Sequence, residues 1–228
     1  VRETDGLFQS EAEVQNHTST VDGEEVLIQP DAEPGDIRFV DQNGDGQIGD
    51  NDRYVAGSPF PDVQGGLTFN ATYQNVDLSV SLRGSYGNEI FNVPRYWTNR
   101  MDDLGGFRES LDPWTPEDPD TDTPRAVIGA EGAMNATPAS DRWVEDGSYL
   151  RVQNVKLGYT LPSSLFEQMG LGESSVRIYA SVDNLYTLTG YSNWDPAIGG
   201  SGILSRGVDD GNIYPEARTI AFGVDMSF

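Results

Sequence analysis

The fold is decided by the stretch Thr219-Ile220-Ala221-Phe222-Gly223-Val224-Asp225-Met226-Ser227-Phe228. Large apolar residues occupy every second position of this stretch, and small or polar residues occupy the positions between them. Because successive side chains of a β-strand point to opposite faces, the alternation predicts a strand with one apolar and one polar face. Such a strand fits a wall between lipid and water, and it also fits one layer of a soluble β-sandwich.

Alternation of the same kind recurs upstream, so that strands are predicted at residues 65–74, 77–87, 148–161, 175–187 and 218–228. In the third run the apolar positions change parity near Gln153-Asn154, which predicts a β-bulge. Each run has about ten residues or more, the length of a tilted membrane-crossing strand. Short connections alternate with long ones at 88–147 and 188–217, as in transmembrane β-barrels with long external loops. We therefore expect an all-β fold with about five long antiparallel strands.

The composition excludes several classes of protein. The formal net charge of −23 disfavours nucleic acid as a partner, because both would be strongly negative. The absence of Cys excludes disulfides and thiolate metal sites. The acidic residues of the segment 102–122 lie among prolines in a polar stretch, where no desolvated cleft separates their pKa values, so no enzyme is predicted. The N-terminus has no signal-peptide pattern, and we expect the chain to continue a longer polypeptide.

One polar segment has the spacing of a calcium-binding loop. Between residues 41 and 52, side-chain or backbone oxygens suited to a hard cation recur at the positions that such loops use, which are Asp41, Asn43, Asp45, Gln47 and Asp52. An Asp at the last position in place of a bidentate Glu should weaken the binding of calcium. The alternative is an external turn that holds itself together by hydrogen bonds between side chains and backbone.

Four tryptophans lie in or beside the predicted external loops, namely Trp97, Trp114, Trp143 and Trp194. Their rings are candidates for contact with a ligand at the mouth of a pore. The alternative is that they anchor the loops to one another or to a partner protein. Arg83, Arg151 and Arg177 fall on the polar faces of their strands, where we expect them to pair with acidic groups.

Several strings of the sequence resemble one family of membrane proteins, in the right order and over nearly the whole chain. They are residues 4–10 (TDGLFQS), 34–53 (PGDIRFVDQNGDGQIGDNDR), 140–162 (SDRWVEDGSYLRVQNVKLGYTLP), 182–196 (VDNLYTLTGYSNWDP) and 214–228 (YPEARTIAFGVDMSF). Together they look like the C-terminal part of the barrel in SusC/RagA-like TonB-dependent outer-membrane transporters. Each string is only modestly specific, but their common order is specific.

The resemblance implies a transmembrane barrel of about 22 strands that is filled by an N-terminal plug, which is absent from this stretch. It implies TonB-dependent import of oligosaccharides or peptides through the outer membrane of Bacteroidota-like bacteria. The implied partners are a SusD-like surface lipoprotein, the TonB system and the barrel-assembly machinery, for which Phe228 resembles the terminal aromatic signal. In this arrangement the C-terminus lies on the periplasmic side.

The predicted organisation has two parts. Residues 1–64 form the end of an earlier strand and an external loop that contains the calcium-like segment, and residues 65–228 form the last five barrel strands. Two other classes of protein remain as alternatives. One is a secreted, calcium-stabilised β-sandwich for binding or adhesion, whose strands should be shorter. The other is a passive porin or an assembly protein.

Overall fold

The computed structural model describes residues 1–100, 112–127, 134–168, 174–197, 205–212 and 214–227. Within these ranges the strands are β1 (Thr4–Leu7), β2 (Thr18–Val21), β3 (Glu24–Leu27), β4 (Ile37–Phe39), β5 (Val63–Tyr73), β6 (Val76–Tyr86), β7 (Glu89–Asn92), β8 (Val144–Asp146), β9 (Tyr149–Thr160), β10 (Ser175–Thr189), β11 (Val208–Asp209) and β12 (Thr219–Ser227). The α-helices are α1 (Glu11–Gln15), α2 (Val93–Asn99) and α3 (Ser163–Gln168). None of the helices in the described ranges is long and apolar enough to cross a membrane.

The five long strands form one antiparallel sheet in the order β12-β10-β9-β6-β5. The fold is therefore all-β with five long antiparallel strands, as the alternation predicts. These strands have 9 to 15 residues. Their observed ends lie within two residues of the predicted ones. With the short connections between them, the strands belong to a compact part of the chain, here called the sheet unit (Pro59–Glu89, Asp146–Gly199 and Ile213–Phe228).

The register of the sheet places large apolar side chains beside one another on one face, here called the apolar face. One rung across all five strands consists of Phe69, Val80, Val155, Val182 and Ile220. A second rung near one end of the sheet consists of Tyr73, Val76, Tyr159, Ile178 and Val224. Most of these side chains are exposed, so the apolar face is not a buried core. The opposite, polar face carries the residues between them.

A bulge in β9 preserves this segregation of the two faces. Leu82 pairs with Val152 while Ser81 pairs with Asn154, so Gln153 is the extra residue of β9. Because one inserted residue shifts the side-chain parity, Val152 and Val155 both lie on the apolar face. The bulge lies where the change of apolar phase predicts it.

A second compact part of the chain, here called the core unit, consists of Val1–Ser58, Ile90–Glu145 and Gly200–Asn212. It is built from the short sheets β1-β4, β2-β3 and β11-β7-β8. The first residue of β7, Glu89, and the last residue of β8, Asp146, are counted with the sheet unit. Its interior contains fully buried apolar side chains, among them Phe8, Val14, Ile37, Phe39 and Ile90. This interior is an ordinary hydrophobic core, unlike the open apolar face of the sheet.

The two compact units divide the chain differently from the predicted boundary at residue 64. Residues 1–58 do not stand apart from the segment 90–145, because they share one compact unit with it. Asp141 illustrates the connection, since its carboxylate accepts hydrogen bonds from the backbone and hydroxyl of Thr4 and from the hydroxyl of Tyr54. The connection at 88–147 likewise contains β7, α2 and β8 and is not only an irregular loop.

Candidate functional site

The polar face of the sheet carries an ion-pair cluster around Arg177 of β10. Its Nη2 lies 2.6 Å from Asp77 of β6, and its Nη1 lies 2.9 Å from Asp225 of β12. The bond to Asp77 crosses β9 at Gly158, where an added Cβ would overlap both side chains. Glycine at this position therefore leaves the room in which Arg177 links three strands.

A second arginine, Arg151 of β9, holds the connection that joins β10 to β12. Its side chain is only 4% exposed, and its two terminal nitrogens lie 2.5 Å from Asp195 and 2.6 Å from Glu216. Its Nε also donates a hydrogen bond of 2.9 Å to the hydroxyl of Thr187. Asp195 accepts a further hydrogen bond from the backbone of Glu216, so both arms of the connection meet at Arg151.

The third predicted arginine, Arg83 of β6, lies directly opposite Arg151 on the polar face. Unlike Arg151 and Arg177, its side chain is exposed and forms no hydrogen bond or ion pair with any described residue. The expected pairing with acidic groups of the lumen or plug is therefore seen at Arg151 and Arg177, within this chain, and at Arg83 it stays a prediction.

The calcium-like segment 41–52 is a compact turn whose side-chain oxygens face its own backbone. Asp41 accepts N–H groups of Gly44, Asp45 and Gly46, and Asp45 accepts that of Gln47. Burial by itself raises the pKa of Asp41, but the bonds from Gly46 and Gly44 outweigh it and leave this pKa below its ordinary value.

Asp52 has the same role at the end of the turn. Its side chain is fully buried and accepts the backbone N–H groups of Gln42 and Gly49. Among the described residues, no three carboxylates, imidazoles or thiolates converge as metal ligands. The hydrogen bonds of Asp41, Asp45 and Asp52 to the backbone are those of a turn that holds itself together. Calcium binding by Asp41, Asn43, Asp45, Gln47 and Asp52 stays a prediction.

The four tryptophans fall into two pairs. Trp143 and Trp114 are buried, and their indole N–H groups donate to the carbonyl of Thr137 and the side chain of Gln9 at 2.9 Å. Because burial removes their faces from any ligand, these two rings anchor the loops, as the alternative for the tryptophans predicts. Trp97 and Trp194 are exposed and keep ring surface available for contact.

His17 is half-buried in the core unit. Its ring packs edge-on against Phe8 at 5.3 Å, and its Nε2 lies 3.0 Å from the carbonyl oxygen of Phe39. Desolvation lowers the pKa of His17 below its ordinary value, more than the Phe39 carbonyl raises it. His17 is therefore part of the packing of the core unit.

Four tyrosines near the strand ends lie on the apolar face. Tyr73 and Tyr159 both pair with Val76 and share one rung, whereas Tyr86 and Tyr186 lie toward the opposite end of the sheet. All four are exposed. Phe228, the predicted assembly signal, lies outside the described residues.

The acidic partners of the arginines could not be identified from the sequence. The alternation places Asp77 and Asp225 on the polar face, but only the register brings them to Arg177. Asp195 and Glu216 lie in a loop whose course no periodic signal predicts. Long-range ion pairs of this kind require the three-dimensional structure.

Comparison with known sequences relates the chain to TonB-dependent receptors. It is 35% identical over 202 residues to TonB-dependent receptor P26 of Formosa agariphila, covering 85% of this chain and 20% of that protein. It is 31% identical over 195 residues to TonB-dependent receptor SusC of Bacteroides thetaiotaomicron, covering 86% of this chain and 18% of that protein. The chain thus spans about a fifth of the length of these relatives. No family model matches it.

Comparison with solved structures gives the same fold. The RagAB peptide transporter matches with a TM-score of 0.70 and 24% identity, covering 100% of this chain and 22% of that chain. The RagAB peptide importer in its 'closed-closed' state matches with a TM-score of 0.68 and 23% identity, over the same shares of both chains. The five-stranded sheet and the attached loops therefore have the architecture of one segment of a much larger protein.

Proposed function

Because the chain belongs to the SusC/RagA-like TonB-dependent receptors, we propose that the protein of which it forms part imports nutrients across the outer membrane. Members of this family are receptors and not enzymes, in agreement with the prediction from sequence. Membership also excludes the secreted β-sandwich as a description of this chain. Its role in the importer is to supply the last five strands of the barrel wall, together with long loops.

The segregation of the two faces of the sheet carries this proposal. The apolar face presents large exposed side chains, among them Leu157 of the central strand β9, which is 52% exposed, and Phe222 of the outer strand β12, which is 83% exposed. The polar face contains Arg151 and Arg177, each held by two carboxylates. In a barrel wall the apolar face would contact lipid, and the polar face would contact the water-filled lumen.

The direction of the strands follows from the lengths of their connections. The short turn at Gln74-Asn75 and the end of β12 lie at the same end of the sheet, because Tyr73 and Val224 share one rung. Short turns of such barrels are periplasmic and long loops are external. The C-terminus then lies on the periplasmic side, and the segments 88–147 and 188–217 face the outside.

The partners of the importer follow from the same family. A SusD-like lipoprotein would cover the external mouth, the TonB system would act through a plug encoded elsewhere in the protein, and the barrel-assembly machinery would engage Phe228. The substrate would be an oligosaccharide or a peptide, and RagAB is named a peptide importer. Of the four tryptophans, Trp97 and Trp194 have the exposed rings that contact with the substrate requires.

Deletion of the full-length gene tests the function. In the native bacterium the deletion strain should fail to grow on at least one oligosaccharide or peptide mixture as sole nutrient source. The complete gene should restore growth, and a gene that carries the exposed-site change Val55→Ala should restore it equally. Growth of the deletion strain on every nutrient that supports the parent would show that the proposal is wrong.

Labelling of single cysteines tests the orientation, since these 228 residues contain no Cys. In the full-length protein, Glu117→Cys should react on intact cells with a membrane-impermeant maleimide. Asn75→Cys, in the short turn, should react only after the outer membrane is opened. The reverse pattern would place the C-terminus outside.

A further inference from the structure

The polar face contains a groove of about 790 Å³ beside Arg83, in the half of the sheet toward Tyr86. Hydroxyl and amide groups line it, among them Gln64, Thr68, Ser81 and Asn154. Gly66, which pairs with Arg83, also lines the groove and contributes no side chain to it. The groove is therefore a polar recess with a cation at its edge.

Arg83 differs from the two other arginines of this face. Arg151 is neutralised by Asp195 and Glu216, and Arg177 is neutralised by Asp77 and Asp225. Arg83 has no such partner among the residues that the structure describes, although acidic residues outnumber basic ones by 37 to 14 in the chain. Arg218 and Lys156 likewise form no ion pair with a described residue, but neither of them lines the groove.

The charged groups around Arg83 favour the binding of an anion to it. Arg151 lies directly opposite on the next strand, and like charges in that position repel each other. Both carboxylates that bind Arg151 are already engaged by its guanidinium. Asp183 is the one acidic residue among the described residues that line the groove, and it accepts a hydrogen bond from the amide of Asn154. It lies two strands from β6, which is about 10 Å.

We infer that Arg83 is a binding site for a carboxylate of the imported solute, with the hydroxyl and amide groups of the groove binding its neighbouring polar atoms. The inference rests on the proposed function, because it requires the polar face to line the route of an imported solute. A guanidinium binds a carboxylate through two parallel hydrogen bonds, which neither hydroxyls nor amides of the groove can match. The solute is therefore an acidic one, such as a peptide with a free C-terminus or an oligosaccharide of uronic acids.

Binding to the purified full-length receptor tests the inference with two pairs of probes. The first pair is tetra-alanine with a free C-terminal carboxylate and the same peptide as its amide. The second pair is a tetramer of galacturonic acid and its methyl ester. For one pair at least, the acidic probe should bind the natural receptor about tenfold more tightly than the neutral probe.

Two variants locate the preference. Arg83→Gln should abolish the preference for the acidic probe, and Arg83→Lys should retain part of it because the charge remains. Arg218→Gln removes the same charge at an exposed position outside the groove and should leave the preference unchanged. Equal or absent binding of all the probes to the natural receptor would overturn the inference, as would a preference that survives in Arg83→Gln.

A carboxylate of the receptor itself, outside these 228 residues, is the other group that could bind Arg83. The thermal unfolding midpoint of the same variants distinguishes such a carboxylate from one of the solute. If Arg83→Gln lowers the midpoint by several degrees and leaves probe binding unchanged, an internal carboxylate occupies Arg83 and the inference is wrong. The growth assay separates this failure from that of the proposed function. In that case the Arg83→Gln strain would grow normally while the deletion strain would not.

Discussion

The core unit and the sheet unit place the same kinds of side chain in opposite surroundings. In the core unit Phe8 and Phe39 are fully buried. In the sheet unit Phe222 is exposed, whereas the charged Arg151 is buried. The difference shows that burial within the chain is not a measure of how apolar the surroundings of a residue are. The core unit hides its apolar surface from water, and the sheet presents its apolar surface to a solvent that is itself apolar.

Removal of a core side chain should give the largest effect. Phe39→Ala should destabilise the core unit by about 3 to 5 kcal/mol, because it deletes a fully buried ring and leaves a cavity. Hydrogen exchange of the β1 and β4 amides in the full-length receptor measures this opening. Val55→Ala, at an exposed position of the same unit, should leave their exchange unchanged. Equal protection in both variants would mean that the core is not closed.

A charge on the apolar face should have a somewhat smaller effect, and only in a bilayer. Leu157→Arg should lower the stability of the full-length receptor in lipid vesicles by about 2 to 4 kcal/mol, because its rung lies within the apolar band. Asn70→Arg, on the polar face, is the matched control and should have little effect. Urea titration of vesicle-inserted protein gives both values. Two equal values would contradict the assignment of lipid to the apolar face.

A side chain at position 158 should disturb the polar face. Gly158→Val should cost about 1 to 3 kcal/mol, since its Cβ would overlap Arg177 and Asp77 and separate the ion pair. Gly65→Ala is the control, because a Cβ there meets no atom within 4 Å. The same urea titration distinguishes them. A neutral Gly158→Val would mean that the ion pair moves aside without loss.

Acidification should have the smallest effect, confined to the core unit. The pKa of His17 is lower in the folded chain than its ordinary value of 6.5, so the unfolded chain binds the proton more readily. Stability therefore falls as the pH drops through and below that value. Arg38 lowers this pKa further, whereas Asp41 and Asp5 partly offset the change.

Hydrogen exchange of the β1 and β4 amides, corrected for intrinsic rates, should show faster opening at pH 5.5 than at pH 7.5. Both pH values lie above the usual titration of carboxylates, which is near pH 4. The His17→Gln variant should lose most of this dependence, because His17 is the chain's single histidine. An unchanged dependence in the variant would assign the effect to other groups.

The two units also differ in how far the sequence predicts them. The long strands were predictable because two different solvents impose a period of two, and even the extra residue Gln153 leaves a phase change in the pattern. The core unit depends on contacts between distant residues, such as Thr4 with Asp141, for which the sequence gives no local signal. The same limit explains the tryptophans, since burial of Trp114 depends on Gln9, more than a hundred residues away.

The outer strands of the sheet, β5 and β12, each pair with a strand on one side only among the residues described. Along their other sides runs a series of backbone donors and acceptors that lipid cannot satisfy, at several kcal/mol for each group. These groups require strands from another part of the polypeptide. Completion of this sheet in the membrane is therefore coupled to the folding of distant sequence, and a change there can prevent the sheet from forming although none of its own residues has changed.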